Sequence, residues 1–366
     1  MKPTLPMNPT GWFQVAWSDE VRAGEVHRMR YFGRDLVAWR GHSGRVTVMD
    51  AYCEHLGAHL GYGGTVVEDR IRCPFHGWEW TEQGRNHCIP YEDRPNLGKR
   101  INTMPVVERN ESIYVWHDVD RRPPHFDVPD VFAGFASDGA SHGTSDGTSD
   151  GTSDGTSEVD GAGPDAYYPL CEHARLLDTG LELHPQYVLE NGVDFAHFKY
   201  VHQVPIVPKF SRQEFEDPIA FVDFTITFDE RDAGGSIEDI DSGVEALNCG
   251  VGLAVTKSWG MIDNRTVLAT TPVDDSTCDV RFSVWIGRDE AHVPGETDHS
   301  ERADKHARGV IEQVEADLVI WSHQKYASPA ALSRGEYPGF TALRSWAQQF
   351  YPPAGTAQQH TEETSA

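Results

Sequence analysis

Two short segments, Cys53-Glu54-His55 and Cys73-Pro74-Phe75-His76, stand 17 residues apart and decide how this 366-residue chain is read. Thiolate and imidazole both ligate transition metals, and each segment supplies one of each. A structural Cys2His2 zinc site groups Cys with Cys and His with His, so the mixed pairs argue against zinc. His59 and His87 lie nearby. The four-ligand set is complete without them, and they read as ordinary surface or packing residues. Cys88, Cys171, Cys249 and Cys278 show no paired spacing. They are expected to be reduced, buried small hydrophobes in a cytoplasmic protein.

The flanks Leu56-Gly57-Ala58-His59 and Gly77-Trp78-Glu79-Trp80 sharpen the reading. The whole segment resembles the cluster-binding loops of Rieske proteins, in the variant found in the Rieske non-haem iron oxygenases. That resemblance implies a [2Fe-2S] cluster in which Cys53 and Cys73 hold one iron and His55 and His76 the other. Respiratory-type Rieske proteins carry an extra, bridged Cys in each loop, where this chain has Ala58 and Phe75, so that disulfide is not expected. They also place hydroxyl donors after the second His. Here Trp78 and Trp80 lack a hydroxyl, which implies a lower potential suited to passing electrons onward.

A second site is expected in the run from Glu190 to His202, Glu-Asn-Gly-Val-Asp-Phe-Ala-His-Phe-Lys-Tyr-Val-His. On a regular helix, His197 and His202 point about 140° apart. They converge on one metal only where the helix distorts or ends between them, which Pro205 favours. Asp194, three positions before His197, is expected on the same helical face. With the Rieske segment upstream, Asp-x-x-His-x-x-x-x-His resembles the mononuclear iron motif of Rieske oxygenases, a facial triad needing one more carboxylate. Asp304, Glu312 and Glu315 compete for that place. Asp317 is preferred because it shares a helical face with Val310, Val314 and Trp321, where an unpaired carboxylate is costly. The run Glu315-Ala316-Asp317-Leu318-Val319-Ile320-Trp321 also looks like the carboxylate segment of the ketosteroid-hydroxylase branch. By the same resemblance Asp194 accepts hydrogen bonds from His197 and, across a subunit boundary, from His76 of a neighbour. That implies a head-to-tail homotrimer.

The net charge of -26, from 57 acidic against 31 basic residues, argues against nucleic acid or an anionic membrane surface as partner. No run of 18 apolar residues and no basic-apolar leader is found, so no membrane span is expected. Between Gly143 and Glu158 a Gly-Thr-Ser-acid tetrapeptide repeats four times. A lone acid every four residues makes a poor calcium cage, so 135–164 reads as a flexible, acidic insert. It divides a domain at 11–134 from one at 165–353, with a disordered tail at 354–366.

Short strands are expected at Trp12 to Trp17, Asp35 to Arg40, Arg45 to Asp50, Val66 to Ile71 and Ser112 to His117. Later ones are expected at Ala220 to Phe228, Gly252 to Trp259, Arg265 to Thr271 and Asp279 to Gly287. Helices are expected at Val188 to Val201 and His299 to Gln324. The fold class is α+β. An antiparallel β domain carries the cluster at loop tips, and a helix-grip-like catalytic domain has an antiparallel sheet with helices against it.

The resemblance runs from about Gly11 to Pro353, and Leu343-Arg344-Ser345-Trp346 with Phe350-Tyr351 points toward the hydroxylases and desaturases of steroid-like substrates. It implies an oxygenase component using a Rieske cluster, one mononuclear Fe(II) and dioxygen. NAD(P)H electrons arrive through a ferredoxin or flavin reductase, and an apolar substrate is hydroxylated, desaturated or demethylated, with monooxygenation favoured over dioxygenation. The pocket is expected to draw on Val204 to Phe210 and the sheet from Gly252 to Gly287. The contrasting reading is a Rieske electron carrier with an appended binding domain, which leaves His197, His202 and Asp317 without a purpose.

Overall fold

The computed structural model describes residues 5–133, 163–204, 207–228, 240–260, 263–293 and 298–352. The expected flexible insert and disordered tail therefore fall almost wholly outside the described residues. In the N-terminal part, short runs separated by tight turns, several of them rich in β-branched and aromatic residues, give eleven strands among the described residues: β1 Gly11–Trp17, β2 Val26–Tyr31, β3 Arg34–Arg40, β4 Val46–Asp50, β5 Thr65–Val67, β6 Arg70–Arg72, β7 Glu79–Thr81, β8 Asn86–Cys88, β9 Thr103–Met104, β10 Val106–Arg109 and β11 Ser112–His117. They form three antiparallel sheets, ordered β1-β11-β10, β2-β3-β4-β9 and β5-β6-β7-β8. The single strand expected over Val66 to Ile71 is instead the hairpin β5-β6, turning at Glu68 with φ +54°. A Glu in the left-handed region gives no Gly or Asn signal, so the turn was not legible.

The C-terminal part contains β12 Arg175–Leu181, α1 Pro185–Asn191, α2 His197–Tyr200, β13 Lys209–Phe215, β14 Ile219–Phe228, β15 Ile240–Cys249, β16 Leu253–Trp259, β17 Asn264–Pro272, β18 Cys278–Ile286, α3 Glu301–Trp321 and α4 Tyr337–Ala347. Among the described residues, seven of these strands make one antiparallel sheet in the order β12-β18-β17-β16-β15-β14-β13. The helix expected over Val188 to Val201 is in fact two, α1 and α2, parted at 192–196.

The two halves are tied together. β1 lies against β16 and β17, and Thr271 donates to the Gln14 carbonyl at 2.6 Å. Trp17 Nε1 donates to Ser283 Oγ at 2.8 Å, and Arg281 to Tyr31 Oη at 2.8 Å. Trp12, Trp17 and Trp116 from the first half share one buried cluster with Val255, Val267 and Trp285 from the second. All six cysteines are unpaired.

Candidate metal centres

The two Cys/His segments occupy matching turns, the first joining β4 to β5 and the second β6 to β7. Cys53 N donates to Ala58 O at 2.9 Å and Gly57 N to Cys53 O at 2.9 Å; Cys73 N donates to Trp78 O at 2.8 Å and Gly77 N to Cys73 O at 3.1 Å. Gly57 and Gly77, each four residues after its Cys, take φ of +73° and +72°, a conformation glycine adopts without steric cost. This repeated Cys-to-Gly turn was a signal the sequence reading passed over.

The turns bring sulfur to sulfur and imidazole to imidazole. The Cys53 and Cys73 thiols hydrogen-bond to each other, and the His55 and His76 rings lie 4.7 Å apart. That grouping suits two thiolates on one iron and two imidazoles on another. The bond from Cys53 holds the Cys73 thiol down to about 6, while the same bond and burial push Cys53 up. His76 Nδ1 is buried without a hydrogen-bond partner, as a ligand nitrogen awaiting a metal would be. Trp78 stacks on His55 at 4.3 Å, and the Trp80 indole N–H is buried near the Cys53 sulfur. The Trp residues lack hydroxyls, as read from sequence, yet Trp80 brings a donor of another kind. His59 accepts from Gly61 N at 3.0 Å, and His87 is exposed.

The second centre forms because α2 stops at Tyr200. His202 lies beyond its end, so the His197 and His202 rings meet at 5.1 Å instead of diverging. One ligand atom each from His197, His202 and Asp317 lie within 4.8 Å of one another. His202 Nε2 is 3.4 Å from Asp317 Oδ2, with side chains only 6% and 9% exposed. His202 Nδ1 is buried and unpartnered. His197 Nδ1 bonds the Asp194 carbonyl oxygen, which turns Nε2 toward the triad. Burial holds His197 below its ordinary pKa against the opposing pull of Asp317, favouring the neutral imidazole a metal requires. The donor set therefore fits a facial-triad iron.

Asp194 precedes α2 instead of sharing a helical face with His197. Its carboxylate accepts from Ala196 N at 3.0 Å and His197 N at 3.3 Å, fixing the first turn of α2. Its link to the His197 ring runs through the backbone carbonyl. Sequence reading missed Asn191, whose Nδ2 lies 3.2 Å from His197 Nε2 and 3.4 Å from Asp317 Oδ2. No residue-type signal marks an Asn so placed. It also missed the support beneath: Arg344 on α4 grips buried Glu190 on α1 through Nε at 2.9 Å and Nη2 at 2.7 Å, and Gln186 donates to the same Glu at 2.8 Å.

Among the described residues, a larger and a smaller cavity reach the triad. The larger, about 340 Å³, is lined by alternate residues of β14 to β17, including Val222, Val244, Ala254 and Leu268, and by a face of α3. The sheet from Gly252 to Gly287 contributes as expected; of the expected stretch Val204 to Phe210, residues 205–206 lie outside the described residues and the others do not line the cavity, whereas β14 and β15 do. The smaller, about 160 Å³, is lined by Asp194, His197, Asp317 and Gln324 among others.

The family model of the Rieske [2Fe-2S] domain matches residues 11–107, and that of the 3-ketosteroid 9alpha-hydroxylase C-terminal domain matches residues 115–351. The chain belongs to the Rieske oxygenases. It is an oxidoreductase that works with a [2Fe-2S] cluster and a mononuclear non-haem iron, and the carrier-only reading is set aside. The family works with electron-transfer partners and dioxygen.

Among relatives of this Rieske oxygenase, a 3-ketosteroid-9-alpha-monooxygenase oxygenase component of Rhodococcus rhodochrous is 27% identical, the match covering 94% of this chain and 85% of that one. A cholesterol 7-desaturase of Caenorhabditis elegans is 28% identical over 94% and 77%. In solved structures, dicamba monooxygenase bound to dicamba shares the fold with a TM-score of 0.59 at 16% identity, covering 93% of this chain and 96% of that one. NdmA of Pseudomonas putida with caffeine does so at 0.60 and 16%, covering 92% and 89%. Among the described residues, no helix is long and apolar enough to cross a membrane.

Proposed function

We propose that Cys53, His55, Cys73 and His76 hold the Rieske cluster and that His197, His202 and Asp317 hold the mononuclear iron. On this reading the chain hydroxylates a C–H position of an apolar, steroid-like substrate, with residues 11–134 relaying electrons and 165–353 housing the chemistry. The carrying observation is the triad's position on the wall of a cavity to which Val222, Phe224, Val244, Leu268, Phe282 and Trp259 bring apolar side chains, with polar groups among them. Steroid-like substrates are supported by the names of the two relatives above. Their near-equal identities leave desaturation as the second reading.

When bound, the iron supplies the redox chemistry on dioxygen, and the chain supplies geometry. Asn191 holds Asp317 by its Oδ2, the Asp194 carbonyl orients the His197 ring, and Phe198, Phe224 and Phe282 hold an apolar skeleton out of water. Electrons reach the cluster from NAD(P)H through a ferredoxin or flavin reductase. They cross from His76 of one subunit to Asp194 of the next in a homotrimer. Leu56 and Phe75 beside the cluster ligands are 65% and 61% exposed, and Tyr200 just past His197 is 79% exposed, which supports docking between these surfaces. The four cysteines outside the cluster, Cys88, Cys171, Cys249 and Cys278, are unpaired, which supports a cytoplasmic setting.

Turnover with a reductase and a panel of sterols, steroids and aromatic acids, read by product mass, tests the assignment. A steroid gaining one oxygen, or losing two hydrogens for the second reading, is expected. Conversion confined to aromatic acids contradicts it.

A further inference from the structure

We propose that Asn264 and His306 form a hydrogen-bonding end to the large cavity that recognises an oxygen of the substrate far from the reacting carbon. This selects elongated apolar molecules with a remote hydroxyl or keto group. The inference rests on the cavity being the substrate site, as proposed above.

One face of α3 spans the cavity: His306, Val310, Gln313, Val314, Asp317 and Trp321 all line it. These positions recur every three to four residues, so they share a stripe. From Asp317 to His306 the helix rises about 16 Å, at about 1.5 Å per residue. Allowing for side-chain reach, a carbon at the triad and an oxygen at His306 lie on the order of 10 Å apart. A single-ring molecule does not bridge that span.

Asn264, at the start of β17, is 5% exposed and meets His306 across the cavity, its Nδ2 lying 3.3 Å from His306 Nε2. Its Oδ1 is buried with no hydrogen-bond partner, and a buried acceptor left unpaired is unfavourable unless a bound molecule donates to it. Burial, aided by the charge of Arg302, keeps His306 below its ordinary pKa. As a neutral ring it accepts from Asn264 and leaves Oδ1 to a hydroxyl donor. Reversing the amide and the imidazole tautomer instead offers an N–H to a keto oxygen. Thr256 and Thr266, in the same lining, hydrogen-bond to each other at 2.6 Å, which engages one of their two hydroxyl protons.

The test is a binding titration on the anaerobic, iron-loaded oxygenase without reductant, followed by tryptophan fluorescence. The probes are a four-ring steroid with a side-chain hydroxyl and its deoxy parent. The hydroxylated probe is expected to bind about tenfold more tightly, the worth of one well-placed hydrogen bond. Asn264→Leu and His306→Leu should each erase that preference, while His306→Gln, which keeps a donor and an acceptor, retains most of it. If Asn264→Leu fails to fold, the partly exposed His306 position decides alone. A preference surviving His306→Leu, or equal affinity of both probes for the native enzyme, overturns this inference and leaves the substrate class standing. Failure of both probes to bind overturns the two together.

Discussion

At the scale of single residues, the centres depend on a few side chains whose neighbours were not evident from residue type. Cys and His announce metal chemistry by themselves, and Asp317 by lying on an apolar helical face, so these were legible in the sequence. Asn191 was not, since its role exists only once the end of α1 meets α3. The Glu190–Arg344 pair was likewise hidden, because the partners are 154 residues apart. Glu190 is 5% and Arg344 19% exposed at the side chain. Removing the guanidinium leaves a buried charge unpaired, so Arg344→Ala should destabilise the fold by about 3 kcal/mol or more, read from denaturant midpoints. A change within about 0.5 kcal/mol would mean the pair is already solvated.

At the scale of elements, the decisive feature is the break between α1 and α2. Five-residue His spacing demanded a distortion, and the structure meets that demand by ending α2 at Tyr200. Long alternating strands such as β14, β17 and β18 were legible within a residue or two at their starts. β15 was not, because Gly243, Ser242 and Asn248 dilute its alternation in Ile240–Cys249. α1 is anchored by His184, whose Nδ1 accepts from Gln186 N at 3.0 Å and whose Nε2 meets the Pro6 carbonyl at 3.0 Å.

Burial pushes His184 down to about 4 from an ordinary 6.5, partly opposed by the Pro6 bond. Between those values the unfolded chain takes up a proton that the folded chain refuses. The stabilisation is thus complete above pH 6.5 and is lost as pH falls toward 4. His184→Asn keeps a capping acceptor without the titration. Going from about pH 7 to about pH 5, it should lose on the order of 2 kcal/mol less stability than the native chain. Parallel stability curves for the two would contradict the assignment.

At the scale of the whole molecule, the tryptophan-rich cluster shared by the two halves couples the electron-relaying part to the catalytic part. Loss of the cluster's visible absorbance and loss of far-ultraviolet circular dichroism should therefore follow one thermal transition, and two separated midpoints would show that the halves fold independently. The trimeric route makes a separate prediction. Mixed oligomers of a Cys73→Ser chain and an Asp317→Ala chain should regain activity, because a sound cluster on one subunit serves a sound triad on the next. Inactive mixed oligomers would confine electron transfer to a single chain.

The central claim is that one chain carries two iron centres on the residues named. Iron and acid-labile sulfide counted per chain, in the native protein and in Asp317→Ala, test it most directly. Three irons with two sulfides are expected in the native chain, falling to two irons with two sulfides and an unchanged cluster spectrum in the variant. A native chain with only two irons, or a variant that keeps all three, would contradict it.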